Sequence, residues 1–291
     1  MEKLTLELPS NFKANKTSIL LNKDKFETMI LGSSQMMVGL NAEWIDSPTI
    51  SLASSSQHHD TDFILLKTLQ PEFKNLKTVV LEVSYSHFEY PHNGTKFWKN
   101  PLYLKFFKAN MFNRKTYYKD QLVFIANTPL FINDIYNYYI KNDLDYKINK
   151  YGFNTINYSG AFKELNYNEH DINLISKIDI NTIENKQANT YTIKLFFEIL
   201  NYLEKEKLNI IICKVPMYKT YLSARDKSIS IRRDSVLKVV EKKYKNIKML
   251  DLEEDTLNFK THHYINHNHL NPDGAKIFTQ KLNEVINNIN H

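Results

Sequence analysis

The sequence predicts an α/β fold: a three-layer sandwich with a mostly parallel central sheet. Three observations carry this prediction. Short, continuous apolar runs rich in β-branched residues recur along the chain, as strands covered on both faces do. Segments of helical length, with apolar residues three and four apart, separate several of these runs. Polar clusters follow the runs directly, at the carboxyl ends of strands where such folds bind ligands.

Taken in order, residues 26–31 (FETMIL) form the first strand candidate and stop at Gly32. The next segment, SSQMMVGLN, has the polar-to-apolar run of a tight turn entering a short helix. A second short strand, 49–52, breaks into SSSQHHDTD. Residues 60–69 space Phe63, Leu65, Leu66 and Leu69 as one helix face, and KTVVLEV (77–83) is the clearest central strand of the N-terminal half. Residues 96–186 are rich in aromatics and Asn, beginning with Trp98, Tyr103, Phe106 and Phe107. They are expected to form helices in a long insertion over the sheet edge of one domain spanning 1–291. Order returns at 189–203, where Ile193, Phe196, Phe197, Leu200 and Leu203 make an amphipathic helix. NIIICKV (209–215) is a strand closed by Pro216. A Lys-rich helix (231–244) and the strand IKMLDL (247–252) follow. The last helix is the best marked: Asn271 caps it, Pro272 takes its first position, and Ala275, Phe278, Leu282 and Val285 share one face.

The chain has 291 residues, 42% of them hydrophobic, enough for a sizeable core, and its 24% of charged residues is too ordinary for disorder. One cysteine excludes a disulfide framework and a cysteine-rich zinc module. Cys213, inside an apolar strand, reads as a buried, inert thiol. The net charge of +6 rests on 34 Lys and only 4 Arg. Bidentate forks for bases and phosphates are therefore scarce, so no nucleic-acid partner is expected and the charge reads as solvated surface. No apolar run is long enough to span a bilayer, and MEKLTLELPSNFKANK does not read as a secretory signal, so a soluble, cytoplasmic chain is expected, with peripheral attachment to a membrane through a partner left open. G-x-G-x-x-G, G-x-x-x-x-G-K-[ST] and G-x-S-x-G are all absent, so no nucleotide cofactor is expected.

Two segments carry chemistry. ILGSSQ puts two hydroxyls in a strand-to-helix turn, where a serine gains exposure beside backbone N–H donors. His269, just before the capped terminal helix, can approach the same end of the sheet, and a serine needs such a base near neutral pH. Metal binding must be weighed because ten histidines include His58, His59, His262, His263, His267 and His269 in two of the polar clusters. No metal site is expected, since H-E-x-x-H is absent and carboxylates beside the His-rich loop are few. His262, His263 and His267 read as exposed loop residues, and Tyr218 and Tyr221 as core or rim packing.

The pairing of Gly32-Ser33-Ser34-Gln35 near the start with Asn266-His267-Asn268-His269-Leu270-Asn271-Pro272-Asp273-Gly274-Ala275 near the end resembles the SGNH or GDSL hydrolase superfamily. The closer likeness is to its divergent branch associated with acylation of bacterial surface polymers. The resemblance spans about residues 26–288, with specificity only in the two end motifs. It implies an SGNH-hydrolase-like sandwich, Ser34 as nucleophile, Ser33 in the position of the family's Asp, and His269 as base. It puts Asn266 where the orienting carboxylate belongs. That departure leaves three readings open: a Ser34–His269 dyad, rescue by a neighbouring carboxylate such as Asp273, or lost activity. The resemblance also implies an oxyanion hole, for which Ser55 and Ser84 stand in the corresponding segments and Gln35 and Ser33 line the pocket. The implied function is a serine-dependent carbohydrate ester hydrolase or O-acyltransferase working on an acylated carbohydrate or small ester, with a membrane-bound acylation partner. The alternative is a catalytically weakened scaffold that binds carbohydrate or an assembly partner.

Overall fold

The computed structural model describes residues 1–175 and 177–290. Its centre is a sheet of five parallel strands: β1 (Thr28–Ile30), β2 (Thr49–Ser51), β3 (Thr78–Glu82), β4 (Asn209–Lys214) and β5 (Ile247–Asp251), in the spatial order β2-β1-β3-β4-β5. Each matches an apolar run seen in the sequence. The pairing is continuous in register, with Val79 opposite Ile210 and Ile212 opposite Met249. Because side chains alternate across a strand, Val79 and Leu81 join one core while Val80 joins the other.

Those two cores lie between the sheet and the helices on its two faces, giving a three-layer α/β architecture. On one face Leu65 and Leu66 of the helix His59–Leu69, and Phe196, Ile199, Leu200 and Leu203 of the helix Lys186–Lys205, cover Met29, Leu81 and Ile212. On the other, Met36 of the helix Ser34–Gly39 and Phe278, Leu282 and Ile286 of the helix Pro272–Asn290 cover Ile30, Val80 and Ile211. The helix starts are chemically marked. Asp226 Oδ1 accepts from the Ser228 and Ile229 N–H groups, and Asn185 Oδ1 from that of Ala188.

Residues 96–186 lie in the crossover between β3 and β4 and add no strand to the central sheet among the described residues. They are not confined to a sheet edge. Phe107, Phe131 and Ile135 pack into the first core, Phe162 and Ile172 into the second. Among the described residues, no helix is long and apolar enough to cross a membrane.

After β5 the chain makes a small antiparallel hairpin, β6 (Tyr264–Asn266) and β7 (His269–Leu270), before the last helix. In the order β2-β1-β3-β4-β5 the crossover from β1 leads to β2 and that from β3 to β4, in opposite directions, opening a crevice between the carboxyl ends of β1 and β3. The site lies there.

Candidate active site

Three elements meet at the crevice. β1 runs out through Leu31 into Gly32, whose φ of +141° belongs to glycine. A Cβ there would stand 2.7 Å from Met36 Cγ and 2.8 Å from Glu82 Oε2. Ser33 then caps the next helix, its Oγ accepting from the Gln35 N–H, and Ser34 takes the first helical position, half-buried.

The β6–β7 hairpin, packed through Tyr264 and Leu270 in the same core as Met36, carries His269 to this turn. His269 Nε2 is 2.8 Å from Ser34 Oγ, and His269 Nδ1 is 3.1 Å from Asn266 Oδ1. The same Asn266 oxygen accepts from the Asn268 N–H, which identifies it as the amide oxygen. Nδ1 therefore bears the proton, and Nε2 is left with a lone pair facing the Ser34 hydroxyl. Burial lowers the imidazole pKa below its ordinary value, against the opposing pull of the Glu82 and Asp179 charges. The histidine is thus held neutral, in the tautomer a general base requires.

The hairpin is pinned from below. His267, expected in an exposed loop, is instead buried with its Nδ1 2.6 Å from Thr220 Oγ1 and its ring 5.1 Å from that of Phe162. It can be drawn inside because Thr220, Phe162 and Tyr218 supply a matching pocket. Tyr218 and Tyr221 are core residues. Asn271 caps the last helix through the Asp273 and Gly274 N–H groups and donates to the His262 carbonyl. Asp273 accepts from the Tyr158 hydroxyl at 3.0 Å, while His269 Nδ1 has Asn266 as its partner, so Asp273 does not take the orienting place.

The remaining expected pocket residues divide. Ser33 donates both its N–H and its hydroxyl to the Glu82 carboxylate, at 2.7 and 3.0 Å, and Ser84 donates its hydroxyl to Glu82 Oε1 at 2.6 Å. These donors are engaged by a protein carboxylate. Gln35 is buried, with its amide nitrogen 3.8 Å from Met217 Sδ and its Oε1 unpartnered. Ser55 is half-buried; Lys99 Nζ donates to its carbonyl at 2.7 Å and to Ser54 Oγ at 3.0 Å. Burial depresses the Lys99 ammonium to about 8. Beside this loop lies a cavity of about 520 Å³, lined among others by Met37, Val38, Ser55, Trp98, Leu102 and Phe106. Neither it nor a second cavity of about 700 Å³ near the helix Asn11–Asn22 is lined by Ser34 or His269.

Sequence reasoning missed the hub of this crevice. Glu82 ends β3 and is 1% exposed. Burial alone would raise its pKa, but His87, the Ser84 hydroxyl and the Ser33 N–H outweigh it and hold the carboxyl down at about 2. Its one signal is an acid at the carboxyl end of KTVVLEV. Also missed is a buried His59, Asp62 and His87 cluster just behind Glu82, foreshadowed only by the i, i+3 spacing of His59 and Asp62.

The geometry amounts to a hydroxyl paired with an oriented, neutral imidazole at a strand-to-helix turn, beside a network that fixes the turn. Searches against known proteins add no relative to this picture: no family model matches the chain, and no curated protein matches it.

Proposed function

We propose that this chain is a serine-dependent acyl hydrolase or O-acyltransferase acting on carbohydrate esters, a divergent relative of the SGNH or GDSL hydrolases. The observation that carries the reading is the 2.8 Å contact between Ser34 Oγ and His269 Nε2, with Nδ1 occupied by Asn266. In the first half-reaction Ser34 Oγ attacks the ester carbonyl while Nε2 takes its proton; the C–O bond to the leaving alcohol breaks as the imidazolium returns that proton to it. The acyl group remains on Ser34. Water or a sugar hydroxyl, deprotonated by Nε2, then attacks the acyl-serine, and the proton passes back to Ser34. Backbone N–H groups of Ser34 and Ser55 are the proposed oxyanion donors. The cavity lined by Met37, Val38 and the proposed oxyanion donor Ser55, though not by Ser34 or His269 themselves, is the proposed acyl site. An acyl donor delivered by a membrane-bound partner fits the transfer version of the reaction.

The test is turnover of an acetylated sugar and of a nitrophenyl ester, with a free sugar as competing acceptor. Wild type releases alcohol; Ser34→Ala and His269→Ala lose at least a hundredfold in kcat. Equal rates in all three would overturn the proposal. A second reading, a carbohydrate-binding scaffold with weakened chemistry, draws on Asn266, which accepts the imidazole N–H but brings no charge to an imidazolium. It requires saturable sugar binding without turnover.

A further inference from the structure

Behind the nucleophile turn three buried side chains of ligand type converge, each with one polar atom left unpartnered. His59 opens the helix His59–Leu69 and Asp62 stands one turn later, while His87 comes from the loop after β3. None is more than 5% exposed. One donor atom from each lies within 4.8 Å of those of the other two. His59 Nδ1, Asp62 Oδ2 and His87 Nε2 all lack a hydrogen-bond partner. Buried polar atoms are paired in the great majority of cases, so three orphans on three adjoining side chains call for an explanation.

The partners of the remaining atoms give one. His59 Nε2 lies 3.1 Å from the Glu82 carbonyl, which can only accept, so Nε2 bears the proton and Nδ1 the lone pair. His87 Nδ1 faces Glu82 Oε1 at 3.7 Å, which leaves Nε2 as that ring's free nitrogen. Asp62 Oδ1 accepts from Gln57 Nε2 at 2.7 Å, and Gln57 is itself held by the Tyr103 hydroxyl. Each outer atom is thus oriented by a neighbour, as the far ring nitrogens and oxygens of metal ligands are.

We propose that His59, Asp62 and His87 bind a divalent transition cation of the zinc class. Two imidazoles and a carboxylate suit zinc and its first-row neighbours, whereas magnesium and calcium take oxygen donors. Zinc ligands at about 2.0–2.2 Å stand roughly 3.4 Å apart in a tetrahedron, so side-chain adjustments of about an ångström close the cluster. Three protein donors leave a fourth position. His58, with its Nδ1 also unpartnered, neighbours both His87 and the exposed Tyr90, at ring separations of 6.1 and 5.6 Å. The bound cation would fasten the start of the helix and the loop after β3 to Glu82, the carboxylate that holds the Ser33 N–H beside Ser34. It would act as a positioning ion for the turn. The inference departs from the sequence-based expectation of no metal, and it stands independently of the serine chemistry.

The test uses the full chain, stripped with a chelator and gel-filtered, then titrated with Zn²⁺ by equilibrium dialysis and with Co²⁺ by visible absorption. The expected result is one equivalent bound, with Asp62→Asn and His87→Gln each weakening binding at least tenfold, while His262→Ala/His263→Ala in the surface loop leaves this equivalent unchanged. Should the site variants fail to fold, the ¹⁵N shifts of the His59 and His87 rings in the wild type report the same contact on adding Zn²⁺. No stoichiometric binding, binding that disappears with the loop histidines, or unmoved His59 and His87 resonances would each overturn the proposal.

Discussion

Asn266 decides what His269 can do. Its amide oxygen fixes the Nδ1–H tautomer and so presents Nε2 to Ser34, but an uncharged amide would do little for the imidazolium of the proposed attack by Ser34. Restoring a carboxylate should therefore speed the reaction: Asn266→Asp is expected to raise kcat at least tenfold with little change in KM, measured on an activated ester. The pH profile follows from burial. In the proposed mechanism the active form is neutral imidazole, present above its pKa and lost as pH falls through it, and burial lowers that pKa. The acid limb of kcat/KM should have its midpoint below the usual histidine value of about 6.5, and Asn266→Asp should move it upward. Ser34 and His269 were legible in the sequence from a strand-to-helix turn and a marked helix, and Asn266 only through the likeness of the closing motif to the SGNH hydrolases. Glu82 was not: its partners Ser33 and His87 are brought to it by strand pairing and a loop, and one acid in an apolar run looks like an outward-facing residue.

At the scale of elements, two devices hold the reacting groups. One is the Glu82 carboxylate across the mouth of β1 and β3. Glu82→Gln replaces a charged acceptor of three protein donors by a neutral amide and should cost about 2–4 kcal/mol in urea unfolding, with a larger proportional loss of activity than of folded protein. The other is the cap at Asn271, which ties the last helix to the loop carrying the hairpin. Asn271→Ala should destabilise by about 1–3 kcal/mol, read as a lowered Tm, by removing the cap and leaving the His262 carbonyl without its donor. Gly274 belongs to this device, since a Cβ would collide with the His263 carbonyl. The capped helix was plain from Asn-Pro-Asp-Gly, and the five strands from their apolar runs. Residues 96–186 were not readable, because their helices are short, such as Asn100–Phe107 and Glu169–Asn173, and tertiary packing into two cores decides their course.

Over the whole molecule, the parallel sheet makes the site out of distant chain. Ser34 and His269 are 235 residues apart, and the sheet order that joins their elements cannot be read from local pattern, since crossovers fix it. The same architecture seals Cys213 within β4, fully buried and with its thiol pKa pushed up by burial. A thiol reagent should therefore label the native chain only at the rate of opening, and labelling in urea should track unfolding measured by circular dichroism. All four Arg are engaged in ion pairs, Arg233 with Glu253 in the interior. The central claim is that this fold turns Ser34 into a nucleophile through His269. The most direct measurement is covalent labelling by a fluorophosphonate probe, with the modified peptide identified by mass. Labelling at Ser34 that vanishes in Ser34→Ala and slows strongly in His269→Ala is the predicted result; no labelling of the wild type at any pH, or labelling indifferent to both substitutions, would contradict it.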